Sequence, residues 1–205
     1  MKALGVATLF IGLCGALSKL LIIENGHLQS TGLMLMVASL VIGTVVGEVI
    51  GIERCLAAIG EKSKTLLHID KNAKFTEAFV TVTIVVCVGA MAIIGSFEDG
   101  INGNSTILFT KSILDGVIVM IFASTMGVGA IFSAIPLFLY QGALSLAAAS
   151  IAPYLNANML DGLSAVGSVL IFVIGINLIF GKMLHIRVGN MLPAVIIPII
   201  YYAVI

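Results

Sequence analysis

The sequence predicts an all-α bundle of about seven membrane-spanning helices. Three observations predict it. First, 60% of the 205 residues are hydrophobic and only 10% are charged, against ~45–50% apolar and ~25% charged in soluble domains. Second, the charges cut the chain into long uncharged runs. Third, Lys and Arg gather in connections that would share one side of a membrane. A soluble fold of this length could not bury so much apolar surface, which excludes a secreted module, a cytosolic enzyme and a disordered chain. Ten Lys and Arg balance ten Asp and Glu, so there is no overall basic field for nucleic acid. Cys14, Cys55 and Cys87 have neither metal-ligand nor disulfide spacing and read as small hydrophobes. No metal or other cofactor is expected.

The uncharged runs are 3–18, 28–47, 78–97, 116–160, 162–181 and 188–205. A helix needs ~20 apolar residues to cross ~30 Å of hydrocarbon. Lipid offers no partner to a free backbone polar group, and no run alternates as a barrel strand would. Each run therefore predicts a helix. As one helix, 116–160 would be ~67 Å long at ~1.5 Å per residue, twice the core, so it predicts two. Gly127-Val128-Gly129 is the expected break, because glycine tolerates turn dihedrals; 133–136 is the second choice. The spans are then about 3–23, 31–52, 75–97, 107–126, 130–152, 161–181 and 188–205, in one transmembrane domain covering 1–205. Span one lacks an Ala-x-Ala-like end and a basic start beyond Lys2, so it does not read as a cleavable signal peptide.

With seven spans, Lys2, the loop 53–74 (Arg54, Lys62, Lys64, Lys71, Lys74) and the loop 182–187 (Lys182, Arg187) fall on one side. The segments 24–30, 98–106 and 153–160 carry no Lys or Arg. The basic side, with the N-terminus, is expected to be cytoplasmic. The loop 53–74 sets Leu56, Ile59, Leu66 and Leu67 among charges, which fits a short amphipathic interfacial helix or a solvated connector equally.

Ionisable groups within spans cost ~2.5–3.5 kcal/mol on insertion scales and usually face a cavity or a partner. Lys111 and Asp115 are four apart in span four and share a helix face. Asp115 lies roughly 13 Å into the span at the helical rise, near mid-depth. The pair predicts either an ion- or proton-linked substrate site or an internal salt bridge that lets the helix insert. Glu77 opens span three before Thr81 and Thr83, as a helix N-terminal carboxylate or as a group on the inner approach to the site. Glu98, Asp99, Asn102 and Asn104 cluster with Gly100 and Gly103. They lack the ligand register of a calcium loop and read as a solvated turn or a cation-attracting outer vestibule. Ser39, Gly43, Gly47 and Gly51 form a small-xxx-small stripe in span two, close to Glu48, which predicts tight helix packing.

Gln141 in span five and Asn177 in span six fit inter-helix hydrogen bonds. Ser112, Ser124, Thr125 and Ser133 either line a polar path or bond back to their own helix. Gly189-Asn190, Pro193 and Pro198 predict a kinked or broken last span, the kind of segment in which transporters place ion sites. A faint echo repeats Leu114-Asp115-Gly116 as Leu160-Asp161-Gly162. No catalytic constellation appears: His27, His68 and His185 fall in different loops, without HExxH, GxSxG or P-loop patterns.

Several segments, in one order, resemble a known family. They are Gly43-Thr-Val-Val-Gly-Glu48, Phe75-Thr-Glu-Ala-Phe79, Cys87-Val-Gly-Ala-Met-Ala92, Gly95-Ser-Phe-Glu-Asp-Gly100 and Thr110-Lys-Ser-Ile-Leu-Asp-Gly116. Further on come Phe132-Ser-Ala-Ile-Pro136, Tyr140-Gln-Gly142, Ser164-Ala-Val-Gly167 and Ile186-Arg-Val-Gly-Asn-Met-Leu-Pro193. Nearly the whole chain resembles the YqgA/YdfK-like bacterial integral membrane proteins, domain of unknown function 554. The resemblance implies a multi-pass protein of the bacterial cytoplasmic membrane and no agreed activity. Members of that family usually begin with one more hydrophobic segment, so this chain reads as a short form or a late start. Many also carry a Glu where this chain has Gly162, with Asp161 one position earlier.

The resulting expectation is a small secondary transporter or channel for a cation, a proton or a small solute. Its site would lie between spans three, four and five, with Asp115 and Lys111 central, Ser112 and Gln141 contributing hydrogen bonds, Glu77 on the inner approach and Glu98, Asp99 and Asn102 at the vestibule. The lipid bilayer is the surrounding partner. A homodimer is expected, with the Gly43, Gly47, Gly51 face as a candidate seam. The competing class is a non-transporting scaffold or accessory subunit; a membrane enzyme ranks third.

Overall fold

The computed structural model describes residues 2–24, 27–66, 74–87, 90–154, 156–184 and 186–204. In chain order these form α1 (Lys2–Leu20), a hairpin of β1 (Leu21–Glu24) and β2 (His27–Ser30), α2 (Leu33–Ile50) and α3 (Ile52–Leu66). Then come α4 (Phe75–Cys87), α5 (Ala90–Asn102), α6 (Thr106–Met126), α7 (Ala134–Ile151), α8 (Ala157–Phe180) and α9 (Ile197–Val204). Two 3₁₀ segments, Val128–Ser133 and Val188–Val195, precede α7 and α9.

Among the described residues, five stretches are long and apolar enough to cross a membrane: α1, α2, α6, Val128–Ser150 and α8. Taken together, α4 and α5 make a sixth. The predicted break in 116–160 falls at Gly127, whose φ of 101° is open to glycine and not to side chains with a Cβ. The seventh predicted span is shorter and broken. Pro193 lies within its 3₁₀ stretch, where a missing N–H and the ring clash prevent a continuous α-helix. The third predicted span is divided too, with α4 ending at Cys87 and α5 resuming at Ala90.

The sequence predicts span one to run to 23, but α1 stops at Leu20 and the next four residues form a strand. Leu21 pairs with Ser30 and Glu24 with His27, antiparallel. Ile22 and Ile23 suit a strand by their branched side chains, and Asn25-Gly26 between the strands is the strongest two-residue hairpin signal. Hydropathy alone misses both. His27 therefore lies on β2 rather than in a loop, while His68 and His185 lie outside the described residues.

The contacts divide the chain into two compact units, 1–53 with 155–205, and 54–154. In the first, α1 and α8 run antiparallel along glycines. Gly5 meets Leu178 and Ile179, Gly12 meets Phe172, and Gly175 meets Leu9. A Cβ at Gly175 would come within 2.5 Å of the Leu9 nitrogen, so glycine alone allows this approach. Likewise α2 packs on the 3₁₀ segment Val188–Val195: Gly43 touches Ala194 and Gly47 touches the Asn190 carbonyl. The small-residue stripe is thus filled from within the chain and is not a face open to a second copy. Gly51 serves separately, ending α2 in the left-handed region at φ 72°.

In the second unit, α4 supplies much of the buried core through Phe75, Ala78, Phe79, Val82 and Val86. Gly129 sits against the backbone of Phe75, and the Phe75 and Phe132 rings are 5.5 Å apart. Gly100 of α5 meets Ser145 and Ala148 of α7. The loop 53–74 begins as helix α3, with Gly60 against Phe79 and Thr76 of α4 and the Thr76 hydroxyl donating to the Glu61 carboxylate.

Candidate functional site

Helix α6 buries only one narrow face, made by Lys111, Asp115, Phe122 and Met126. Steps of four and seven keep these on a single stripe. Phe109, Ile113, Met120 and other large apolar residues of α6 are exposed. Both charges of α6 therefore point into protein. Lys111 is 7% exposed and Asp115 8%. Their ammonium and carboxylate are in direct contact as an ion pair.

Lys111 Nζ makes a second bond, donating to the carbonyl of Val86 at 2.9 Å. Val86 lies in the last turn of α4, whose final carbonyls have no intrahelical partner. The negative end of the α4 dipole favours a cation there. The ammonium thus joins a carboxylate on one helix to a last-turn carbonyl of another.

Further polar groups stand around this junction. The Cys87 thiol is within electrostatic range of Lys111 and Asp115, and the Tyr140 hydroxyl within range of Cys87. Thr83 lies three residues before Val86, on the same side of α4. Its hydroxyl oxygen is buried and has no hydrogen-bond partner among the described residues. The same holds for Gln141 Nε2, next to Tyr140 on α7. An unmet buried polar atom costs ~1–3 kcal/mol. The junction that the contacts establish is the ammonium, the carboxylate and the Val86 carbonyl; the two unmet polar atoms lie in the same unit.

The remaining predicted residues stand elsewhere. Ser112 is exposed and its hydroxyl donates to the Leu108 carbonyl of its own helix. Glu77 is exposed in the first turn of α4, about 13 Å back from Val86 at the helical rise. Asn102 donates to Glu98 at 3.0 Å, the Asn104 N–H returns to the Glu98 carbonyl and the Gly103 N–H to that of Asp99. That cluster closes the end of α5 locally. Asn177 holds the backbone of Ile186 in both directions, at 2.7 and 2.9 Å. Ser124, Thr125 and Ser133 all bond to carbonyls three or four residues back.

Sequence reasoning missed a second junction, in the first unit. Glu53 accepts from the Gly189 N–H at 3.0 Å, and its own N–H donates to Asn190 Oδ1 at 2.8 Å. This reciprocal latch fixes the start of the 3₁₀ segment Val188–Val195. Asn190 is 2% exposed; its place beside Gly189 in a Pro-containing segment is the only sequence signal for it.

The family model described as "Protein of unknown function (DUF554)" matches residues 1–203. The chain belongs to this family. It is 30% identical over 197 residues to the uncharacterized protein YqgA of Escherichia coli (strain K12), covering 94% of this chain and 78% of that one. It is 28% identical over 199 residues to the uncharacterized membrane protein YdfK of Bacillus subtilis (strain 168), covering 97% and 80%. No solved structure matches. With the apolar helices, the family places the chain among membrane proteins.

Proposed function

We propose that this DUF554 protein is a small secondary transporter or channel for a cation or cation-linked solute, working at Asp115 and Lys111. The observation that carries this reading is the double engagement of the Lys111 ammonium by Asp115 and by the Val86 carbonyl at the end of α4. Divided helices whose ends meet a charge are where transporters coordinate ions. Here the lysine ammonium stands where a free cation would stand. A cation entering the site, or a proton taken up by Asp115, releases Lys111 and frees α4 and α6 to separate. The unmet Thr83 hydroxyl oxygen supplies a further ligand, and the Gln141 N–H a donor to a polar solute.

The reading includes a place: the bacterial inner membrane, with the N-terminus and the basic segments around Lys62 and Arg187 in the cytoplasm, as the distribution of Lys and Arg favours. It does not assign catalysis. The competing reading is a membrane scaffold, favoured by the internal neutrality of the Lys111–Asp115 pair.

The test is flux into proteoliposomes across protons, simple monovalent and divalent cations and small organic ions. Wild type should move at least one of them. Asp115→Asn should abolish the flux while keeping the fold, since the amide keeps the shape and cannot cycle its charge. A wild type inert to all of them, with a stable Lys111→Met/Asp115→Leu variant that still meets the cell's need for the protein, would leave the scaffold as the account.

A further inference from the structure

The antiparallel seam of α1 and α8 is shut by glycines along most of its length. Gly5, Gly12 and Gly15 each bring the facing chain to within contact of a missing side chain. At Lys19 the seam stops closing. A cavity of about 330 Å³ opens there, beneath the β1–β2 hairpin and beside the first turns of α2 and α8. That is at the lower end of small-molecule sites, ~300–1,000 Å³. All its lining residues belong to the unit 1–53 with 155–205.

Two opposite charges line it. Lys19 Nζ and Asp161 Oδ1 are 2.6 Å apart. Lys19 stands at a helix end that suits its sign, and Asp161 one turn inside the other helix. Lys19 is in the last turn of α1 and Asp161 early in α8, whose N-cap Asn156 accepts from the Met159 N–H. Neither is buried, with side chains 38% and 53% exposed. The ammonium has three donors and the carboxylate about four acceptor positions, so one shared bond leaves capacity on both. The floor is apolar and buried, formed by Leu20, Ala165 and Pro198.

We infer that this cavity binds a small zwitterion bearing an anionic oxygen group and a primary ammonium. The anionic end would go to Lys19, the ammonium to Asp161, and the carbon skeleton onto Leu20, Ala165 and Pro198. A solvent-exposed ion pair contributes little to stability, so a ligand that replaces it with two new pairs gives up little. A ligand with one charge gains one new pair where a zwitterion gains two, which favours both charges in one molecule. Two sources carry this chemistry: a free amino acid, and the head group of an ethanolamine phospholipid. The site does not depend on the function proposed for Lys111 and Asp115.

The test uses the full chain in detergent and in nanodiscs. Calorimetry measures binding of L-serine, with acetate and methylammonium as single-charge controls. Nanodiscs containing phosphatidylethanolamine are compared with ones containing phosphatidylcholine, whose head group has no N–H. Lys19→Met and Asp161→Asn each remove one anchor; Ser18→Phe keeps both charges and fills the cavity. L-serine bound by wild type, absent for both controls and weakened about tenfold or more in all three variants, would support a free-solute site. Stabilisation by phosphatidylethanolamine alone, lost in the same variants, would support the site with a lipid occupant. No response to either zwitterion, or a response unchanged in Lys19→Met and Ser18→Phe, would overturn the inference.

Discussion

Lys111 reaches across 25 residues of chain to donate its ammonium to the backbone oxygen of Val86. The bond matters because Val86 lies where α4 stops, and a helix end away from water requires a partner. Lys111 is therefore both the counter-charge of Asp115 and the cap of α4.

From this follows an asymmetry between single and double variants. Asp115→Leu alone leaves a buried ammonium with only a carbonyl, and Lys111→Met alone leaves a buried carboxylate. Each should lower stability by about 3–5 kcal/mol, while Lys111→Met/Asp115→Leu should cost clearly less. Thermal melting of the four proteins in one detergent decides it. A double variant worse than either single would show that the pair is not the unit of stability.

The polar atoms without partners predict a trade-off. Thr83→Val replaces an unmet buried hydroxyl by a methyl of similar shape and should raise stability by about 1 kcal/mol. It should also reduce flux, because it removes a ligand from the proposed site. A variant neither stabilised nor impaired would place Thr83 outside the site.

At Gly47 the prediction is steric. A single methyl there overlaps the Asn190 carbonyl, so Gly47→Ala should destabilise by about 1–3 kcal/mol and Gly47→Leu by more. Gly142→Ala is the control, since nothing lies within 4 Å of its would-be Cβ. Equal melting temperatures for Gly47→Ala and wild type would contradict the packing of α2 on Val188–Val195.

Orientation is tested by labelling in a background without Cys14, Cys55 and Cys87. A membrane-impermeant maleimide should reach Asn102→Cys in intact cells and Met183→Cys only after permeabilisation. The opposite pattern would reverse the proposed topology and put Glu77 on the outer side.

How much of this could be read from residues alone depends on the range of the interaction. The apolar runs mark nearly every helix, because lipid imposes length and composition directly. The Lys111–Asp115 pair is legible because four residues on a helix is a spatial neighbour. The Val86 carbonyl is not, because every residue has one and no local pattern marks this one as the partner of Lys111. Lys19 and Asp161 are 142 positions apart, and no local pattern couples them. The hairpin after Leu20 is hidden for another reason: Leu21, Ile22 and Ile23 extend an apolar run that hydropathy reads as more helix. In the last span, Pro193 and Pro198 announce the break but not the latch from Glu53 that secures it.

The 3₁₀ segment Val128–Ser133 stores length. Rewound into α-helix, its six residues would shorten by about 3 Å and lose about a third of a turn, from the difference between ~2.0 and ~1.5 Å rise and between 3.0 and 3.6 residues per turn. Its counterpart Val188–Val195 cannot make the same change, because Pro193 blocks the winding. The slack is therefore one-sided. It belongs to α7, which carries Tyr140 and Gln141, and a stroke of that size is comparable to the 2.9 Å hydrogen bond by which Lys111 holds Val86.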